Sequence, residues 1–226
     1  MTFEDWPCPR PGGGTGSELA VRFDRDRPRR LLVLPALFDE ANRMRRLTIE
    51  VLRRLDAAGI DGVLPDLPGC NESLVPLEAC GLDDWRAAAS AAVERFRPSH
   101  VLAVRGGGLM VPPGLPGWLY GPVKGTTILR QMLRARVLSA RESGREESLD
   151  ALLATGLEEG IALAGHAFGP QMIADLQAAT PPKGADLSEI EQDLIGGSPL
   201  WLRAEPDEDR AQADALAAVL AVGMLA

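Results

Sequence analysis

The chain has 226 residues, 46% of them apolar, with 24 Lys and Arg against 32 Asp and Glu, giving a net charge of −8 and a pI near 4.9. That length and apolar content suit one large domain, or a core with a small insertion, and exclude a disordered chain. The acidic balance excludes a general nucleic-acid binder, because neutralising phosphates takes a basic face.

The first 17 residues, "MTFEDWPCPRPGGGTGS", lack a basic segment followed by an apolar one, so no secretory signal is expected, and their Pro and Gly content predicts an irregular lead-in. "ELAVRF" (18–23) alternates apolar and polar residues, as a half-exposed edge strand does. "RRLLVLPALF" (29–38) is a near-continuous apolar run, the pattern of a parallel strand buried on both faces. "ANRMRRLTIEVLRRLDAAG" (41–59) has helical spacing at Met44, Leu47, Ile49, Val51, Leu52 and Leu55 and closes on Gly59.

"IDGVLPDL" (60–67) reads as a strand and "GLDDWRAAASAAVERFRPS" (81–99) as a helix with Asp83 or Asp84 near its start. "HVLAVRGG" (100–107) and "GWLYGPV" (117–123) are two further strands. The rhythm then changes. Residues 126–156 read as one long helical stretch carrying Arg130, Arg134 and Arg136, and 160–179 as a short extended piece followed by a helix from Pro170. "PLWLRAEP" (199–206) is expected to resume the sheet before a closing helix over 207–226.

Alternating strands and helices imply right-handed crossovers and a doubly wound, mostly parallel sheet. The expected organisation is a core of 1–123 and 191–226, with 124–190 as a helical insertion over it. "ALAAVLAVGMLA" at the C-terminus is too short to span a membrane, which takes roughly 20 apolar residues. Cys8, Cys70 and Cys80 form no CxxC pair, and a sparse odd count fits a reducing, cytoplasmic setting. Two distant histidines, His100 and His166, give no metal site. "GGG" (106–108) matches neither a P-loop nor a G-x-G-x-x-G turn, so no nucleotide cofactor is expected.

Ligands of such sheets bind at the carboxyl ends of the strands. The turns there are "PALFDEANR", "DLPGCNES", "VRGGGL", "GPVKG" and "AEPDED". Their order resembles the α/β-hydrolase fold. "DLPGCNES" (66–73) resembles its D-x-x-G-x-G-x-S turn, with Asn71 at the second glycine. "AVRGGG" occupies the place of the nucleophile elbow, with Arg105 where the serine stands.

A narrower resemblance follows. "PALFDEANRMRR" (35–46), "DLPGCNES", "VRGGGLM", "GPVKGTTILRQMLRAR" (121–136) and "LAGHAFGPQMIADL" (163–176) together resemble the exosortase A system-associated hydrolases. These are bacterial α/β-hydrolase-fold proteins, related to the S33 serine aminopeptidases, that accompany PEP-CTERM sorting and exopolysaccharide production. Matching positions include Pro35, Glu40, Asn42, Asp66, Cys70, Ser73, Arg105, Gln131, Arg134 and Arg136; Ala36, Asn71 and Gly169 depart from the pattern. The resemblance spans roughly 20–210. It implies a hydrolase of esters or acylated saccharide precursors, or a protein partner within the sorting and polysaccharide machinery.

A serine hydrolase needs a hydroxyl at the elbow, a histidine to take its proton and an acid to orient that histidine. Arg105 stays protonated and cannot be a nucleophile. No histidine follows Leu200, and His100 opens its strand, at the wrong end of the sheet. Cys70 and His166 are therefore the catalytic candidates, with Ser73 beside Cys70 as an alternative substitute nucleophile; the Cys70 thiol would need the positive charge of Arg105 or an adjacent base to activate it. Glu205 and Asp207 sit where a triad acid stands, but without a histidine they read as caps of the final helix.

Arg105 at the elbow has two readings: an internal pair with Glu40 or Asp39, or a bidentate contact to an anionic ligand at the following helix start. The candidate binding residues are Phe38, Glu40, Asn42, Arg105, Gly106, Lys124, Gln131 and Arg134. Lys124, Gln131, Arg134 and Arg136 form either a solvated stripe or a basic lid. Two functions stay open. One is a degenerate hydrolase fold that binds an anionic or glycan-related ligand or a partner; the other is an active hydrolase with a non-standard nucleophile.

Overall fold

The structure, a computed structural model, describes residues 1–225. A seven-stranded sheet runs β1 (Thr2–Pro9), β2 (Thr15–Phe23), β4 (Asp61–Pro65), β3 (Arg30–Leu34), β5 (His100–Val104), β6 (Gly117–Tyr120) and β9 (Leu187–Ile190) in spatial order. The five strands from β4 to β9 are parallel, and β1 and β2 add antiparallel at one edge. Five-residue β3 and β5 are buried along nearly their whole length because helices cover both faces, which is why they read as unbroken apolar runs.

One face carries α1 (Asp39–Ala57) and α7 (Arg210–Leu225), and the other carries α2 (Leu82–Phe96), α3 (Gly125–Glu142) and α5 (Pro170–Ala178). The apolar stripe of α1, Met44, Leu47, Val51, Leu52 and Leu55, is buried on the sheet and α7, each side chain contributing about 2 kcal/mol by its removal from water. The remaining elements are α4 (Leu149–Glu158), the β7–β8 hairpin (Ile161–Leu163 and His166–Phe168) and α6 (Gln192–Ile195). Among the described residues no helix is long and apolar enough to cross a membrane.

Several expectations from the sequence need correction. Residues 1–17 are not an irregular lead-in: Thr2–Pro9 pairs with Thr15–Phe23 in a long hairpin whose Gly-rich turn is residues 10–14. That hairpin makes β2 an interior strand and β1 the edge. The stretch 126–156 is two helices, because Gly144 takes a left-handed φ of 73° and Ser148 caps α4 by accepting the Ala151 N–H at 3.2 Å.

Pro199–Pro206 does not resume the sheet. Leu200–Leu202 is a single 3-10 turn, and Leu187–Ile190, inside the stretch expected to be an insertion, is the strand that pairs with β6. The final helix is capped by Asp209, which accepts the Gln212 N–H at 3.1 Å, and not by Glu205 or Asp207, which are both exposed. The expected helix end at Ala226 lies outside the described residues.

Candidate functional site

The carboxyl ends of β3 and β5 meet where the chain is most constrained. After β5, Arg105 adopts φ 52°, in the left-handed region that costs a non-glycine residue about 1–2 kcal/mol, and then opens a 3-10 turn over Arg105–Met110. The glycines that follow are forced by close approach. A Cβ on Gly107 would stand 2.5 and 2.6 Å from the carbonyl oxygens of Leu34 and Pro35. One on Gly106 would stand 2.8 Å from Leu37 Cγ and 2.9 Å from Ile128 Cδ1. The backbone is thus a sharp strand-to-turn elbow, and the space above Gly106 is filled by apolar side chains.

The tip of this elbow is locked from within. Arg105 Nε and Nη2 donate to Glu40 Oε2 and Oε1 at 3.0 and 3.1 Å, a bidentate pair, and Nη1 donates to the Gly121 carbonyl at 2.6 Å. The guanidinium carbon lies 4.3 Å from the centre of the Trp201 ring, and the whole residue is only 9% exposed. Of the two acids expected as partners, Glu40 is the one engaged. Asp39 instead has Oδ1 3.4 Å from His166 Nε2. Phe38, also at positive φ (55°), buries its ring edge-on against Phe168 at 4.8 Å and beside His166 at 5.7 Å.

A cavity of about 260 Å³ opens beside this lock. Leu37, Phe38, Asp39, Glu40 and Arg43 line it from the β3–α1 junction, Ile128, Gln131, Met132 and Ala135 from α3, Ala164 from the hairpin tip, and Trp201 and Leu202 from the turn before α7. Of the expected binding residues, Phe38, Glu40 and Gln131 reach this cavity. Arg105 and Gly106 lie buried beneath it. Asn42 does not line it, sitting on the outer side of α1 in a surface depression with Arg45 and Arg46. Lys124 and Arg134 are exposed outside the lining, and Arg136 is held by Glu147.

Arg43 and Trp201 escaped the sequence reading. Arg43 carried no motif, and Trp201 was hidden by the assignment of 199–206 to a strand.

Cys70 lies in the turn after β4, where burial first, then the neighbouring Cys80, Asp66 and Glu18, push its thiol up to about 12. Arg105 is not among the groups acting on it. Its nucleophilic thiolate is therefore nearly absent at neutral pH. Ser73 is occupied as well: its hydroxyl donates to the buried Glu18 at 2.8 Å and accepts the Gly69 N–H at 2.9 Å. Asp66 accepts from Asn71 Nδ2 at 2.6 Å and Arg45 Nη1 at 3.3 Å, while its Oδ2 is buried with no hydrogen-bond partner among the described residues. Desolvation raises the pKa of both Asp66 and Glu18. His100 stacks on Trp118 at the opposite end of the sheet.

A mostly parallel sheet covered on both faces, with a left-handed residue on a glycine elbow after its central strand β5, defines the α/β-hydrolase fold. Solved structures agree. The chain is similar to the mouse alpha/beta hydrolase domain-containing protein 10, at 10% identity with both chains covered in full and a TM-score of 0.61. It is similar to the esterase domain of a Rhodothermus marinus protein, at 14% identity, 98% and 97% coverage and a TM-score of 0.55. The ferulic-acid-bound Est1E of Butyrivibrio proteoclasticus shares 11% identity over 92% of this chain and 95% of its own, with a TM-score of 0.53. At such identities the likeness is one of fold. No family model and no curated protein matches the chain.

Proposed function

We propose that this chain is a binding protein built on the α/β-hydrolase fold, of the exosortase- and exopolysaccharide-associated type, that has given up elbow chemistry. It holds a small anionic or glycan-related ligand in the cavity between α1, α3 and the 199–203 turn. The observation that carries this reading is the Arg105–Glu40 pair. At the position where acyl transfer needs a free hydroxyl, a guanidinium is bound on all three nitrogens by groups of its own chain. The filled corner above Gly106 supports the same reading, because a tetrahedral oxyanion needs backbone donors open to the cleft.

The second reading, hydrolysis by a non-standard route, is favoured by one observation: His166 and Asp39 form a base–acid pair at the cavity edge. One experiment separates the two. Purified protein is assayed against p-nitrophenyl esters of short and medium chain, alongside His166→Ala and Cys70→Ala variants. The binding reading expects no turnover above the blank. Turnover lost in the His166→Ala variant would replace it with the hydrolytic one.

A further inference from the structure

The Arg105–Glu40 lock leaves one cationic side chain of the cavity lining without a carboxylate partner among the described residues. Of the two acids in its lining, Glu40 is held by the Arg105 guanidinium, and Asp39 lies 3.4 Å from His166, which carries a charge only when protonated. The third charged residue, Arg43, faces no carboxylate within ion-pair distance among the described residues. Its one hydrogen bond runs from Nη1 to the Trp201 carbonyl at 3.1 Å. That bond anchors the side chain and leaves Nε and Nη2 without partners, although a guanidinium carries five N–H donors. In a chain of net charge −8, a half-buried arginine with free donors in a concave site is the local exception. Gln131, on α3, adds an amide without a protein partner among the described residues, and the rest of the lining is mostly apolar, with Ile128 and Met132 on α3.

We infer that Arg43 is the anion receptor of this cavity and that its ligand is a small monocarboxylate carrying an apolar tail. A single guanidinium suits a monoanion held in fork geometry, and the Ile128–Met132 side of the cavity takes the hydrocarbon. The inference rests on the reading of the cavity as a ligand site and specifies its chemistry. It moves the anion contact from Arg105, whose donors are bound internally, to a residue one helical turn along from Asp39 and Glu40. Asp39 is the nearby charge that opposes the ligand, so Asp39→Asn tightens binding.

The test titrates hexanoate, octanoate, decanoate and the neutral octanamide into the protein by calorimetry, with tryptophan fluorescence, to which Trp201 of the lining contributes among four tryptophans, as a second readout. Octanoate is expected to bind at least about tenfold more tightly than octanamide, the margin of a charge-assisted over a neutral hydrogen bond. Each added methylene is expected to tighten binding about fourfold. Arg43→Gln removes the preference for the carboxylate, and Arg43→Lys keeps part of it. Equal binding of octanoate and octanamide overturns the inference and leaves the cavity as a ligand site for neutral molecules. Binding of neither overturns the inference together with the reading beneath it. Should Arg43→Gln fail to fold, the octanoate-to-octanamide ratio on the unaltered protein still decides.

Discussion

Arg105 and Glu40, 65 positions apart, close the elbow of this fold through two parallel hydrogen bonds of 3.0 and 3.1 Å, with side chains only 11% and 15% exposed. A pair this buried does little net stabilising against an apolar replacement, yet breaking it leaves one charge stranded. Glu40→Ala is therefore expected to lose about 3 kcal/mol, or roughly 6–12 °C in a chain of this size. The double variant Arg105→Met with Glu40→Leu should recover most of that loss. Thermal melts of the three proteins decide it; a double variant no better than Glu40→Ala would mean the pair also organises the elbow backbone.

Gly107 tests the elbow itself. Its missing Cβ leaves room for two carbonyl oxygens of the β3–α1 junction, neither of which can yield without shifting a central strand. Gly107→Ala is expected to cost several kcal/mol, about 3 or more, or to prevent folding. Gly106→Ala meets side-chain atoms and no backbone, Leu37 Cγ at 2.8 Å and Ile128 Cδ1 at 2.9 Å, and should cost less, about 1–3 kcal/mol, as those side chains repack. Denaturant midpoints in that order support the geometry; a Gly107→Ala protein as stable as the parent would contradict it.

Asp66 and Glu18 give a signed dependence on pH. Burial raises both carboxyl pKa values above their unfolded values, so the folded state binds protons more readily than the unfolded chain. Their contribution to stability is therefore fully present below the ordinary carboxylate range and is lost as pH rises through the folded values. Asp66→Asn keeps an acceptor for Asn71 and Arg45 and removes the buried charge. It is expected to stabilise by about 1 kcal/mol at pH 8, with the gain shrinking toward pH 5. Melting the pair of proteins at both pH values checks this. A gain that grows on acidification would show that the carboxylate is stabilised in place.

Thiol reactivity follows the same physics. Cys8, Cys70 and Cys80 all have pKa values pushed up to about 12, chiefly by burial. An aromatic disulfide reagent at pH 7.5 should therefore label none of them appreciably in the native protein and all three once denatured. Rapid native labelling of Cys70 would revive it as a nucleophile.

The parallel core was legible because strands buried on both faces must be apolar throughout, as "RLLVL" and "HVLAV" are. The edges were not. β9 is the polar stretch "LSEI", exposed at Ser188 and Glu189 because only one neighbour flanks it, so it shows no apolar run. The apolar "LWL" at 200–202 imitated a strand because Leu200 and Trp201 are buried by the turn they plug into, while Leu202 stays 69% exposed. β1 was masked by prolines, which an edge strand tolerates. The elbow was visible in "VRGGG" through its glycines. Its partner was not: Asp39 and Glu40 are adjacent residues at the same helix end, and sequence spacing cannot say which of them reaches Arg105. Arg43 stayed hidden because its meaning comes from what its neighbours already hold.

Replacing Arg105 by serine tests how far this elbow is from chemistry. The substitution restores a hydroxyl at a left-handed position after the central strand, the backbone that a nucleophile elbow requires. Three features argue that the hydroxyl alone does not suffice. The histidine nearest the cavity, His166, is placed by Asp39 and by the rings of Phe38 and Phe168, on the hairpin side of the cavity. The corner over Gly106 is filled by Leu37 and Ile128, so a developing oxyanion meets hydrocarbon in place of donors. Removing the guanidinium also strands Glu40, whose charge would then sit beside the new hydroxyl and oppose an anionic transition state. Arg105→Ser is thus expected to be less stable than the parent by about 3 kcal/mol and inactive on p-nitrophenyl esters. Adding Glu40→Gln should recover stability without turnover. Hydrolysis by Arg105→Ser above the blank would show instead that a base and an oxyanion site persist at this elbow, and that one substitution at its tip was all that silenced it.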